Sequence, residues 1–268
     1  MTPEASAPPV SWKTVAVPVE HGGWGFLVEP LVLGLVLVPS VAGICLAAAA
    51  VAAFLVRHPL RLALIDRRKG VRYPRTGLAE RVVIAYAALA LAFALVAVPL
   101  SRSPFWPPVL LAAPVALAAL WSDARGRSRE ALPEAAGAVA LGGSVTAIAL
   151  AGGLPAGPAF GAWALLALRG VTAVLYVRAR LRLDRGLPSG TATALGSHVA
   201  GVAAAGALAA AGWGPWLGLL ALLLLLLRAW HGLSSRRPRL RPQALGFREM
   251  GWGLVTLALL AVGYRLRL

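Results

Sequence analysis

The sequence predicts an all-α protein: a polytopic bundle of about nine transmembrane helices, N-terminus in and C-terminus out. Three observations predict it. The 268 residues are 59% hydrophobic and only 13% charged, with a mean hydropathy of +0.76, whereas soluble domains carry about a quarter charged residues. Apolar runs recur along the whole chain, each near the length of about 20 residues that crosses a bilayer. Basic residues collect in every second connection between those runs.

Residues 1–18 are rich in Pro and Ala and lack the basic start, apolar core and cleavage site of a secretory signal. They are expected to be a disordered tail, with residues 19–268 forming one transmembrane helical domain. The apolar runs fall at 22–38, 41–56, 81–99, 105–122, 134–152, 159–177, 195–212, 214–231 and 250–265. The first two are short and separated by Pro39-Ser40, which predicts a tight hairpin. The run of 195–212 is Ala-rich and suited to close helix packing. The leucine run of 214–231 reads as lipid-facing.

The connections alternate. Pro39-Ser40, 100–104, 153–158 and Trp213 are short and nearly uncharged. The stretches 57–81, 123–133, 178–190 and 228–249 hold 21 of the 26 Lys and Arg residues, and Lys13 joins them on the same side. Only Arg102, Arg265 and Arg267 fall opposite. Insertion keeps positive charge in the cytoplasm, so the N-terminus is read as inside and the C-terminus as outside. The net charge of +16 then points to a lipid headgroup surface and not to nucleic acid.

Two charges fall inside apolar runs. Glu29 lies about 10 Å into the first helix, and Arg169 about 13 Å in from the basic face, at 1.5 Å per residue. Intramembrane charges are costly and face the bundle interior or a wet cavity, so the two are expected to pair. Pro30 follows Glu29 and should kink or unwind the helix there. The segment VEHGGWGFLVEP (Val19 to Pro30) thus reads as an irregular helix mouth, with Glu20, His21, Glu29 and Arg169 facing a cavity. The plainer alternative is an ordinary helix cap at Glu20, with Trp24 at the membrane interface.

Other chemistry is sparse. His21, His58, His198 and His231 are not spaced as metal ligands, and they read as interfacial histidines. Cys45 is the only cysteine and sits in an apolar run. No catalytic residue, metal or cofactor is indicated.

Two stretches resemble a known family. EHGGWGFLVEPLVLGLVL (residues 20–37) resembles the opening of the YwiC-like bacterial membrane proteins. WSDARGRSREALPEAAGAVALGG (residues 121–143) is similar to a polar loop and following helix of the same family. That resemblance implies a multi-pass protein of a bacterial inner membrane and supplies no mechanism. In topology the chain is also similar to the UbiA-type prenyltransferases, with large polar loops after helices two, four, six and eight. Those enzymes hold Mg2+ on Asp-rich motifs at the ends of helices two and six. Here those places carry Arg57, His58, Arg61 and Arg178, Arg180, Arg182, with only Asp66 and Asp184 nearby. Arginine cannot ligate a cation but binds phosphate oxygens directly.

The expected site is therefore a cytoplasm-facing cavity in which Arg57, Arg61, Arg125, Arg129, Arg178 and Arg182 hold a phosphorylated lipid or another anion. Beyond the bilayer and that lipid, no partner is indicated. The alternative is a small-solute permease, supported by the broken first helix and the midmembrane charges. A third reading, a divergent prenyltransferase, needs Asp66, Asp123 and Asp184 to converge. Against any site stands simple insertion topology, which places arginines in the cytoplasmic loops of most such proteins.

Overall fold

The computed structural model describes residues 11–18, 22–127 and 130–266. These form ten helices and no strand: α1 (Trp12–Ala16), α2 (Gly22–Leu37), α3 (Val41–Arg68), α4 (Pro74–Leu100), α5 (Trp106–Ala124), α6 (Ala131–Gly152), α7 (Ala156–Asp184), α8 (Thr191–Ala210), α9 (Trp216–Leu233) and α10 (Pro242–Leu266). Helices α3 to α10 are the eight that are long and apolar enough to cross a membrane. The protein is an integral, multi-pass membrane protein built as a helical bundle.

Helix α2 has 16 residues, about 24 Å at 1.5 Å per residue, short of the hydrocarbon thickness of about 30 Å. It sits inside the bundle. Leu33 joins a cluster with Val145, Leu165, Leu222 and Leu260. Leu27 and Leu31 join a second with Leu46, Phe54 and Ile148. Helix α2 packs mainly on α6 and α10; residues 38–40 turn it tightly into α3, which it meets through Trp24 and Phe54, with ring centres 5.2 Å apart. Pro30 does not break the helix, which runs continuously from Gly22 to Leu37.

Several helices overrun the apolar runs at their basic ends. Helix α3 continues past Pro59 to Arg68, and α7 continues to Asp184. Much of the expected loop charge thus sits on helix ends. Ser40 starts α3 by accepting from the Gly43 amide at 3.0 Å. Asp66, fully buried, accepts from Arg75 at 2.9 Å and from the Thr76 hydroxyl at 2.8 Å, which ties the end of α3 to the start of α4. Of the expected tail, residues 1–10 lie outside the described residues. Trp12–Ala16 form a single turn with Val15 and Ala16 buried, in place of disorder.

Helices α6 and α7 are the most enclosed spans and α4 the most exposed. Small residues permit close approach where no hydrophobic force separates protein from lipid. At Gly161, a Cβ would collide with the Trp213 carbonyl oxygen. Helix α9 is amphipathic in this sense and not simply lipid-facing. It buries Gly218, Ala221, Leu222, Leu225 and Ala229, and it exposes Leu223, Leu227 and Trp230.

Candidate functional site

The expected pair of intramembrane charges is present. Arg169 Nη2 lies 2.9 Å from Glu29 Oε1, with the side chains 6% and 12% exposed. The guanidinium also lies 5.8 Å from the centre of the Phe26 ring. Gly253 of α10 lets the backbone pass directly over the pair. A Cβ there would collide with Glu29 Oε1 and lie 2.5 Å from Arg169 Nη2.

A second pair was hidden in the sequence. The sequence groups Arg228 with the basic connections, yet it lies within α9, with its side chain 6% exposed. Its Nη1 is 3.2 Å from Glu249 Oε1 of α10. Its guanidinium stacks 4.0 Å from the centre of the Tyr176 ring. Arg169 links the two pairs by donating to the Glu249 carbonyl oxygen at 3.2 Å. Glu29, Arg169, Glu249 and Arg228 therefore form one chain of buried charges across α2, α7, α10 and α9. His198, read as interfacial, is fully buried on α8, with Nδ1 2.7 Å from the Ala194 carbonyl oxygen.

This second pair is incompletely satisfied. All three guanidinium nitrogens of Arg228 and the Oε2 of Glu249 are buried without a hydrogen bond. Buried polar atoms normally find partners, so each exception needs a reason. Arg228 and Glu249 border a cavity of about 250 Å³ between α7, α9 and α10, with Arg180, Arg248 and His231 also on its wall. Leu224, Leu227, Leu245 and Trp252 supply its apolar side. Arg180 is committed: it donates to Asp184 Oδ2 at 2.8 Å, to the Gly232 carbonyl oxygen at 2.7 Å and to the Pro238 carbonyl oxygen.

Of the six arginines expected to form one site, the five among the described residues are spread over several helices. Arg57 pairs with buried Asp123 at 2.5 Å. Arg61 shares with Arg57 and His58 a cleft of about 20 Å³, room for about one water. Arg125 stacks 4.5 Å from the centre of the Trp121 ring. Arg178 Nη1 lies 3.5 Å from Glu134 Oε2, and Arg182 is exposed on α7. Neither the cleft nor the larger cavity includes Arg125, Arg178 or Arg182 in its wall. Arg129, Glu20 and His21 lie outside the described residues. Among the described residues, no group of three His, Cys, Asp or Glu side chains converges as metal ligands.

Residues 17–149 match the family model described as YwiC-like protein. Over that segment the chain belongs to the YwiC-like family. No curated protein and no solved structure matches it. The YwiC-like segment contains Glu29 and helices α2 to α5, and it ends within α6. Arg169, Arg228 and Glu249 lie beyond it, so the buried charges join the matched segment to the remainder of the chain.

Proposed function

We propose that the protein binds a phosphorylated lipid or a comparable anionic amphiphile in the cavity between α7, α9 and α10. By the charge asymmetry of the connections, that cavity opens toward the cytoplasm. The observation that carries the reading is the Arg228 guanidinium, enclosed beside a cavity with no hydrogen-bond partner of its own. A buried cation with unused donors is an anion site in waiting, because charge-assisted bonds to phosphate oxygens satisfy it directly. Arg228 and Arg248 would hold the headgroup. Leu224, Leu227, Leu245 and Trp252 would carry the first part of the chain. Leu227 and Met250 are exposed on the same helices, which offers the tail a route into the bilayer.

A permease is the second reading, favoured by four charges buried along one path through α2, α7, α10 and α9. Divergent prenyl transfer finds less support. Asp66, Asp123 and Asp184 are each engaged by separate arginines: Arg75, Arg57, and Arg180 with Arg237.

Native mass spectrometry with lipid extraction tests the proposal. The protein purified in mild detergent should retain a phosphorylated lipid. Arg228→Gln/Arg248→Gln should lose it, and Arg57→Gln/Arg178→Gln/Arg182→Gln should keep it. Loss in the second variant alone would return the site to the α3 and α7 helix ends.

A further inference from the structure

Among the described residues, Glu249 is the one carboxylate on the wall of the large cavity, which it shares with Arg180, Arg228 and Arg248. Its Oε1 touches Arg228 while its Oε2 is buried without a partner. Both residues line the cavity, but the Arg228 nitrogens are buried while the pair is closed, so an anion reaches that guanidinium only as the Glu249 carboxylate moves aside. Two anions then compete for the Arg228 guanidinium in a low-dielectric pocket, and such groups do not both stay charged without cost. The other cations of the wall are engaged: Arg180 holds Asp184 and two carbonyl oxygens, and Arg248 is taken by the same headgroup. Arg169 is near enough to influence Glu249, but that guanidinium already holds Glu29 and the Glu249 carbonyl oxygen.

We propose that this cavity is a proton-linked anion site. The ligand's anionic group displaces the Glu249 carboxylate from Arg228, and Glu249 takes up one proton from solvent as the ligand enters. The inference rests on the anion-binding reading above. The protonated carboxyl becomes a hydrogen-bond donor, so the group that opposed the ligand now contributes to holding it. For a singly charged headgroup the charge inside the bundle is unchanged, one negative charge entering as one is cancelled on Glu249; free sulfate brings two, of which the proton offsets one. The ligand class is a phosphate or sulfate group, carried by a lipid headgroup or by a free anion.

The other groups around Glu249 are fixed in role. From α7 come Arg169, held by Glu29 of α2, and Tyr176, whose ring lies under Arg228. Arg248 precedes Glu249 on α10 and adds positive charge at the mouth. His198 of α8 lies within electrostatic reach of Arg228, and His231 of α9 stands on the cavity wall. Glu29, which lies within electrostatic reach of Glu249, and the two histidines are the competing titratable groups, and each is separable from Glu249 by substitution.

The test is calorimetric titration of the full chain in mild detergent with two probes, sulfate and dihexanoyl phosphatidylglycerol. Both keep their charge between mildly acidic and neutral pH, so a pH dependence belongs to the protein. Wild-type affinity should fall by up to about tenfold per pH unit as pH rises, the slope for one linked proton. Buffers of different ionisation enthalpy should report one proton taken up. Glu249→Gln should bind at least as tightly at neutral pH, with no slope and no proton uptake. His231→Gln, His198→Gln and Glu29→Gln should keep the slope. Response to phosphatidylglycerol alone identifies a lipid headgroup, and response to both probes identifies a free anion. Wild-type binding without slope or proton uptake overturns the proton link and leaves the anion site standing, as does a slope that survives in Glu249→Gln. Failure to bind either probe overturns the anion site itself. If Glu249→Gln does not fold, the proton count on the wild type decides alone.

Discussion

Replacing Arg169 by Met lowers stability by about 3–5 kcal/mol, because it leaves the Glu29 carboxylate buried without its cation. The loss appears as a fall in Tm of the purified protein in detergent. Adding Glu29→Met to that variant recovers most of the loss, since two apolar side chains of similar volume replace a pair whose desolvation was costly. The recovery is the informative part. Arg169 and Glu29 are 2.9 Å apart with almost no exposure, so the two single effects are strongly non-additive. Additive losses in the double variant would mean that each charge is satisfied elsewhere.

Gly253→Ala has the second large effect, and it acts through the same pair. The new methyl group would fall on Glu29 Oε1 and Arg169 Nη2. The ion pair must separate or α10 must retreat, at a cost of about 1–3 kcal/mol for an overpacked core methyl group. In a Glu29→Ala/Arg169→Ala background the methyl group finds room, and the same substitution costs under about 0.5 kcal/mol. A comparable Tm loss in both backgrounds would place the strain in the α10 backbone instead.

Hydropathy made the helices legible because lipid imposes one requirement on every span: about 20 apolar residues with internal hydrogen bonding. The runs at 105–122 and 134–152 differ from α5 and α6 by at most three residues at any end, and the second ends with α6 at Gly152. Glu29 and Arg169 stood out because each interrupts an apolar run. Arg228 and Glu249 did not, because they sit about two turns from a basic connection and looked like its edge. Arg228 already lay inside the run 214–231, preceded by six leucines. That placement was the usable signal, since a charge ending an apolar run so long either snorkels or is buried with a partner. The dispersal of Arg57, Arg125, Arg178 and Arg182 was not legible. Helix rotation decides which arginine meets Asp123, Trp121 or Glu134, and the insertion signal is blind to rotation. The continuity of α2 through Pro30 likewise depends on neighbours, since packing on α6 and α10 holds the helix where the sequence suggests a break.

On the reading proposed above, Arg228 is an anion-binding group inside the bundle. A cryo-EM map of the protein in lipid nanodiscs, enlarged by a bound antibody fragment, tests it most directly. Elongated density between α7, α9 and α10, with its head within hydrogen-bond distance of Arg228 and Arg248, is the predicted result. A cavity collapsed around a closed Arg228–Glu249 hydrogen bond, with no ligand density, would contradict it.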